Sequence, residues 1–112
     1  MTVLAAALLS AAGCGGDDAI SFSRDVQPIF DGKCAGCHPV SYPQLDLRPG
    51  RSYTQLVRVP AETNLAFQRV LPGRPELSFL LTHPPEPQLV GLLTAGERDT
   101  IRQWIVEGAA DN

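Results

Sequence analysis

Cys34-Ala35-Gly36-Cys37-His38 places two thiols and an imidazole on one short stretch of chain. Side chains three apart on a helical turn share a face, so both sulfurs can reach along one edge of a flat ligand. The next residue is rotated round the turn and can bring its ring beneath the centre of that ligand. This C-x-x-C-H spacing is the one used for covalent c-type haem attachment. In that chemistry Cys34 and Cys37 bond the two vinyl groups, and His38 takes the proximal side of the iron. Three other readings use part of the pattern. A redox dithiol wants a strand before it and a helix after it, whereas the residues before Cys34 read as a helix and a loop follows. A structural zinc module needs four ligands; with no second C-x-x-C, it must join Cys34, Cys37 and His38 to the distant His83. Two unpaired buried cysteines are the third. An imidazole directly after the second thiol favours haem.

The third cysteine belongs to a different pattern. Residues 1–13 carry no charged side chain and include the apolar run Val3-Leu4-Ala5-Ala6-Ala7-Leu8-Leu9, which is too short to span a bilayer. Such a run, with small residues Ala11, Ala12 and Gly13 after it, has the form of a secretory signal peptide. Leu9-Ser10-Ala11-Ala12-Gly13-Cys14 resembles a bacterial lipoprotein signal, in which cleavage exposes the cysteine for lipidation. It departs from that pattern in lacking an initial Lys or Arg and in having Ala11 where Leu is usual. The other reading is a cleaved signal peptide with a stray cysteine. Either places the domain outside the cytoplasm, on the periplasmic or cell-envelope side, where c-type haem is attached. Residues 14–20 then form a flexible tether around Gly15-Gly16-Asp17-Asp18, and residues 21–112 form the domain.

About 90 residues make a small domain for one apolar core, and a covalently held flat apolar body would help to fill it. The formal charge of −3 argues against a nucleic-acid partner, which would want a basic surface. Charge is uneven: Arg48, Arg51, Arg58, Arg69 and Arg74 lie in a stretch whose one acid is Glu62. These are either solvated side chains or an arginine face for haem propionates or an acidic redox partner.

Short helices account for the regular structure that the pattern predicts. Ser23 or Asp25 can cap a helix running towards Cys34, with Pro28 in its first turn and Val26, Ile29 and Phe30 on one face. Prolines and Gly50 break the chain after His38, where Leu45 and Leu47 can lay two side chains against a haem edge or simply join the core. Ser52 to Val57 can form a short helix with Tyr53, Leu56 and Val57 inward. Residues 63–71 read mostly as loop, and Pro72-Gly73 as a turn. Pro75 and Glu76 suit the start of a helix carrying Leu77, Leu80 and Leu81, which must stop before Pro84-Pro85. Thr94-Ala95-Gly96-Glu97 is a capping box, and the helix it opens carries Ile101, Trp104 and Ile105 and stops at Gly108. Trp104 and Phe30 are the aromatic pair expected to pack the last helix across the first, Trp104 as core. Neither a repeat, a nucleotide-binding glycine pattern nor a nucleophile constellation is present.

Residues 21–110 resemble a small bacterial c-type cytochrome domain of the planctomycete type. The likeness rests on the 22–30 segment leading into the haem motif, on Leu45-Asp46-Leu47, on Val70-Leu71-Pro72-Gly73, and on the closing 101–109 segment. It implies an all-α cytochrome c-like fold, with first and last helices crossed around one covalent haem c. It implies electron transfer rather than enzymatic catalysis, with a redox protein or another haem domain as partner. Such domains usually offer a methionine as sixth ligand, in a Met-Pro-Pro-like stretch before the last helix. Here the one methionine is Met1, and Leu81-Thr82-His83-Pro84-Pro85 stands at that place. His83 can therefore occupy the methionine position and give a bis-histidine iron. Alternatively it is a surface residue, and an open sixth position makes the domain a gas or peroxide sensor with weak peroxidase activity. Lys33 lies too near the proximal side to reach the opposite face.

Overall fold

The computed structural model describes residues 19–36, 38–41, 43–62, 64–82 and 92–112. Among them the regular structure is helical and no strand forms, in agreement with the all-α expectation. Cys14, Cys37 and His83, together with residues 1–13, lie outside the described residues.

The first helix opens one turn earlier than expected, as a π-helical turn, Phe22–Val26, that runs directly into α1, Gln27–Lys33. Its cap is Ser21, not Ser23 or Asp25. The Ser21 hydroxyl accepts the Arg24 N–H at 3.2 Å, and the Asp25 carboxylate accepts the Ser21 N–H at 2.8 Å. Pro28 explains the wide turn ahead of α1. It has no N–H for the i−4 carbonyl and its ring crowds that carbonyl, so the regular ladder lapses just before it. The expected inward face is present, with Val26 and Phe30 buried and Ile29 half-buried.

Helix α2, Ser52–Leu56, buries Leu56 and also Ser52. Gln27 ties it to α1: its side-chain oxygen accepts from the Ser52 hydroxyl, and its Nε2 donates to Leu47 O and Asp31 Oδ1, each at 2.9 Å. Residues 64–71 make no helix; Val70 is fully buried and bridges to Val57. The turn at Pro72-Gly73 needs its glycine, whose φ of 82° lies in the left-handed region.

The expected helix from Pro75 to Leu81 is split. A 3₁₀ turn, Pro75–Leu77, ends at Ser78, and α3, Phe79–Thr82, begins after it. Ser78 is extended and fully buried. Its hydroxyl accepts the Leu71 N–H and donates to Arg74 O, each at 2.9 Å, so the side chain satisfies the preceding turn and the backbone leaves helical geometry.

Helix α4, Ala95–Val106, carries the predicted capping box, with Thr94 N–H donating to Glu97 Oε1 at 2.9 Å and Glu97 N–H to Thr94 Oγ1 at 3.0 Å. It ends in a Schellman motif: Gly108 N–H bonds Ile105 O and Ala109 N–H bonds Trp104 O, at 3.0 and 2.8 Å. Ile101, Trp104, Ile105 and Ala109 are buried against Phe22, Val26, Phe30, Leu47, Leu56 and Val70. Phe22 is the aromatic hub. Its ring centroid lies 5.1 Å from Trp104, 5.4 Å from Tyr53 and 6.1 Å from Phe30. The expected Trp104–Phe30 pairing is thus mediated by a residue of the π-helical turn. Each such contact contributes about 0.5–1.5 kcal/mol beyond area burial. The Arg24–Asp25 and Arg74–Glu76 pairs have guanidiniums more than half exposed, and pairs of that kind contribute little. Apolar contact between the first and last helices is joined by hydrogen bonds near the C-terminus. There Ile20 N–H donates to Glu107 Oε1 at 2.9 Å and Phe22 N–H to Asn112 Oδ1 at 2.7 Å.

Candidate haem-attachment site

Helix α1 ends at Lys33, with Cys34 as its C-cap in a non-helical conformation, and a turn follows. Cys34 and Ala35 N–H both donate to Phe30 O at 2.8 Å, and His38 N–H donates to Cys34 O at 2.9 Å. The 34-to-38 hydrogen bond closes a turn that begins at Cys34 and ends at His38. Both are half-buried, and Cys34 packs against the hydrophobic core. The His38–Pro39 peptide is cis, and His38 O accepts the Leu47 N–H at 3.2 Å, which brings the Leu45–Leu47 segment alongside the turn. Cys37, the second attachment residue, lies outside the described residues.

Two further links complete the surroundings. Lys33 Nζ lies 2.9 Å from Leu92 O and 3.0 Å from Glu97 Oε1, and so joins the end of α1 to the start of α4. One residue along, Arg98 Nη2 donates to Leu81 O at 2.9 Å and ties α3 to the same turn of α4. Ile29, Leu45, Leu80, Leu81 and Leu93 pack against the core while remaining part-exposed. A thiol packed against the core and an imidazole four residues on are the donor types that a covalently held haem iron uses. His83, the expected distal ligand, follows Thr82 at the end of α3 and lies outside the described residues, so its position bears on neither ligation state. Among the described residues no group of three or more His, Cys, Asp and Glu side chains gathers as a metal site, and the zinc alternative rests on Cys37 and His83 as well as on Cys34 and His38.

The arginine-rich stretch is partly neutralised by acids outside it. Arg48 pairs with Asp46 at 2.7 Å, Arg74 with Glu76 at 2.7 Å, and Arg69 donates to Gln55 O at 2.9 Å. The sequence window from Arg48 to Arg74 excluded both partner acids, which is why it exaggerated the free positive charge. Alternation around the two leucines of Leu45-Asp46-Leu47 points the middle residue outward, and here Asp46 turns in instead. It is 5% exposed. Its carboxylate accepts Arg48 Nε at 2.9 Å and the Arg48 N–H at 3.1 Å, and its own N–H donates to Gln55 Oε1 at 2.7 Å.

The hydrogen bonds from the Arg48 side chain hold the Asp46 carboxyl down to about 2. A carboxylate whose folded value is depressed stabilises the fold above its unfolded value, and that contribution is lost as pH falls towards the folded value. Asp46→Asn is therefore expected to lower the melting temperature at pH 7. The gap from the parent should close between about pH 4 and pH 2, the window set by an ordinary aspartate and this one. Thermal melts of both proteins across that range check it; a gap independent of pH would show that the charge of Asp46 is not what stabilises the Leu45–Arg48 turn.

Comparison with family models, curated proteins and solved structures found no match to this chain.

Proposed function

We propose that this chain is a single-haem c-type cytochrome, with a cytochrome c-like fold, that carries out outer-sphere one-electron transfer outside the cytoplasm. The observation that supports it most is the C-x-x-C-H spacing, together with a hydrogen-bonded turn from Cys34 to His38 whose first residue packs against the core. Cys34 and Cys37 would hold the porphyrin, His38 would ligate the iron proximally and His83 distally. Bound haem supplies the one-electron couple; the protein supplies orientation, burial and axial ligands. Outer-sphere transfer asks for no bond-making by the protein, so no catalytic residue is assigned. The partner is a redox protein or another haem domain. The test is the optical spectrum of the isolated protein in both oxidation states, which should show a covalent haem with a reversible couple. A colourless protein would remove this reading and leave the zinc module.

The absence of any methionine after Met1 supports a second reading, a gas- or peroxide-binding sensor with an open sixth position. Rapid CO binding by the reduced protein distinguishes it.

Cys14 is proposed as a lipid attachment point that holds the domain at the periplasmic or cell-envelope face of a bacterial membrane. Among the described residues no helix is long and apolar enough to cross a membrane. The mature protein should partition into detergent, and Cys14→Ser should move it to the aqueous phase. A parent found wholly in the aqueous phase would refute the anchor and leave the haem assignment untouched.

A further inference from the structure

The arginine-rich stretch keeps one cluster that its acids do not neutralise. Arg51 N–H and Ser52 N–H both donate to Arg48 O at 3.1 Å, and Gln55 N–H donates to Arg51 O at 3.3 Å. Arg48, Arg51 and Gln55 therefore follow one another along one side of a turn that runs into α2. Arg69 joins them from the 64–71 segment: its Nη1 donates to Gln55 O at 2.9 Å, and its Nη2 lies 3.5 Å from Gln44 O. One carboxylate, the buried Asp46, lies among these three guanidiniums. Arg48 takes both of its oxygens, and Arg51 adds only its field. Among the described residues Arg51 and Arg69 form no ion pair, and neither does Glu62, the one acid of the stretch. The Arg48 side chain is 56% exposed even while it holds Asp46; Arg51 is exposed and Arg69 half-buried. An excess of positive charge thus meets solvent here. The cluster also adjoins the attachment turn, because Leu47, whose N–H bonds His38 O at 3.2 Å, is the residue before Arg48.

We infer that Arg48, Arg51 and Arg69 form a docking face for an acidic surface of the redox partner, placed beside the haem-attachment turn. This names the chemistry of the partner and rests on the haem reading. Charge complementarity carries the choice: guanidiniums are weakly hydrated and present paired donors that match carboxylates. Two of the three are also held before a partner arrives, Arg48 by Asp46 and Arg69 by backbone carbonyls, which reduces the entropy lost on docking. Such a face steers the encounter of oppositely charged proteins, and its effect fades as salt rises.

The test uses the purified full chain with a decaglutamate peptide as probe, followed by amide chemical shifts. The parent should bind with shifts gathered at residues 44–55 and 69. Affinity should fall between about 10 mM and about 150 mM salt, as the screening length drops from roughly 30 Å to about 8 Å. Arg51→Gln and Arg69→Gln should each weaken binding about two- to fivefold, the scale of an exposed charge pair. Arg102→Gln removes the same charge from an exposed position on α4 and should stay close to the parent. In the haem-loaded protein, oxidation by ferricyanide should slow by a similar factor in Arg51→Gln, while oxidation by the cationic tris(phenanthroline)cobalt(III) should not slow. Equal weakening by Arg51→Gln and Arg102→Gln would overturn the inference, since net charge rather than a face would then be at work. Binding to phosphatidylglycerol vesicles with none to decaglutamate would overturn the choice of a protein partner. An Arg51→Gln protein with unchanged peptide affinity and a shifted haem potential would assign that guanidinium to a haem propionate instead, and would overturn it too. If Arg69→Gln does not fold, Arg51→Gln carries the comparison, because among the described residues the Arg51 guanidinium has no hydrogen bond to lose. A colourless parent that binds the peptide through Arg51 would keep the acid-binding face and fail the proposed function alone.

Discussion

Denatured parent protein matured with the c-type attachment machinery is expected to keep its haem through acid–acetone extraction, and Cys34→Ala with Cys37→Ala is expected to keep none. Each single substitution should leave one thioether and a weakened, partial retention. The expectation follows from bond chemistry: a haem held only by ligation and apolar contact leaves once the fold is lost, whereas a thioether survives denaturation. The effect on the fold should also be large. The domain is small for a single apolar core, and Ile29, Leu45, Leu80, Leu81 and Leu93 pack against that core while remaining part-exposed. Covering them with a porphyrin removes apolar surface from water at roughly 25 cal/mol per Å². The double variant should therefore melt well below the parent and with a broader transition. Haem that extracts completely from the parent would sink the assignment. A double variant that still retained haem would place the attachment on some other residue.

What was legible in the sequence was local. The capping box at Thr94 and Glu97, the stop at Gly108, the turn at Gly73 and the inward face of Val26 and Phe30 all depend on residues within a turn or two of each other, and each was found where the spacing put it. The 34-to-38 hydrogen bond is local too, and it closes a turn rather than a further helical turn of α1. The misreadings have distant or competing causes. Ser21 displaced Ser23 and Asp25 as cap because Pro28 forces a wide turn before α1, and a wide turn moves the start of the helix back. Ser78 broke a well-patterned helix because its hydroxyl bonds the preceding turn more profitably than its backbone continues the ladder, a competition that periodicity does not register. Phe22 became the aromatic hub through contacts with Tyr53 and Trp104, both far along the chain. Asp46 turned inward with its carboxylate bonded by Arg48 and its backbone N–H donating to Gln55 Oε1.

The bis-histidine iron carries the second large prediction. With Met1 the chain's one methionine, a ferric protein ligated by His38 and His83 should be low-spin, with the spectrum of two imidazoles. Replacing a thioether by an imidazole takes away the ligand that favours reduced iron, so the potential should fall below that of His/Met cytochromes. A fall on the order of a few hundred millivolts is within reach, because axial ligands span about 0.8 V across haem proteins. His83→Ala should leave the sixth position without its protein ligand, turn the iron high-spin and allow rapid CO binding. His83→Met should raise the potential and, through the weaker thioether field, shift the charge-transfer bands. If His83 is the ligand, the two prolines that follow it in the sequence would reduce the entropy lost on holding it at the iron. The chain on either side is restrained as well, by Arg98 at Leu81 and by Lys33 at Leu92. Spectra of the parent and of His83→Ala decide the matter together. A parent already high-spin, or a His83→Ala protein with an unchanged spectrum, means that His83 is not the ligand, and the sensor reading then takes precedence over the electron carrier.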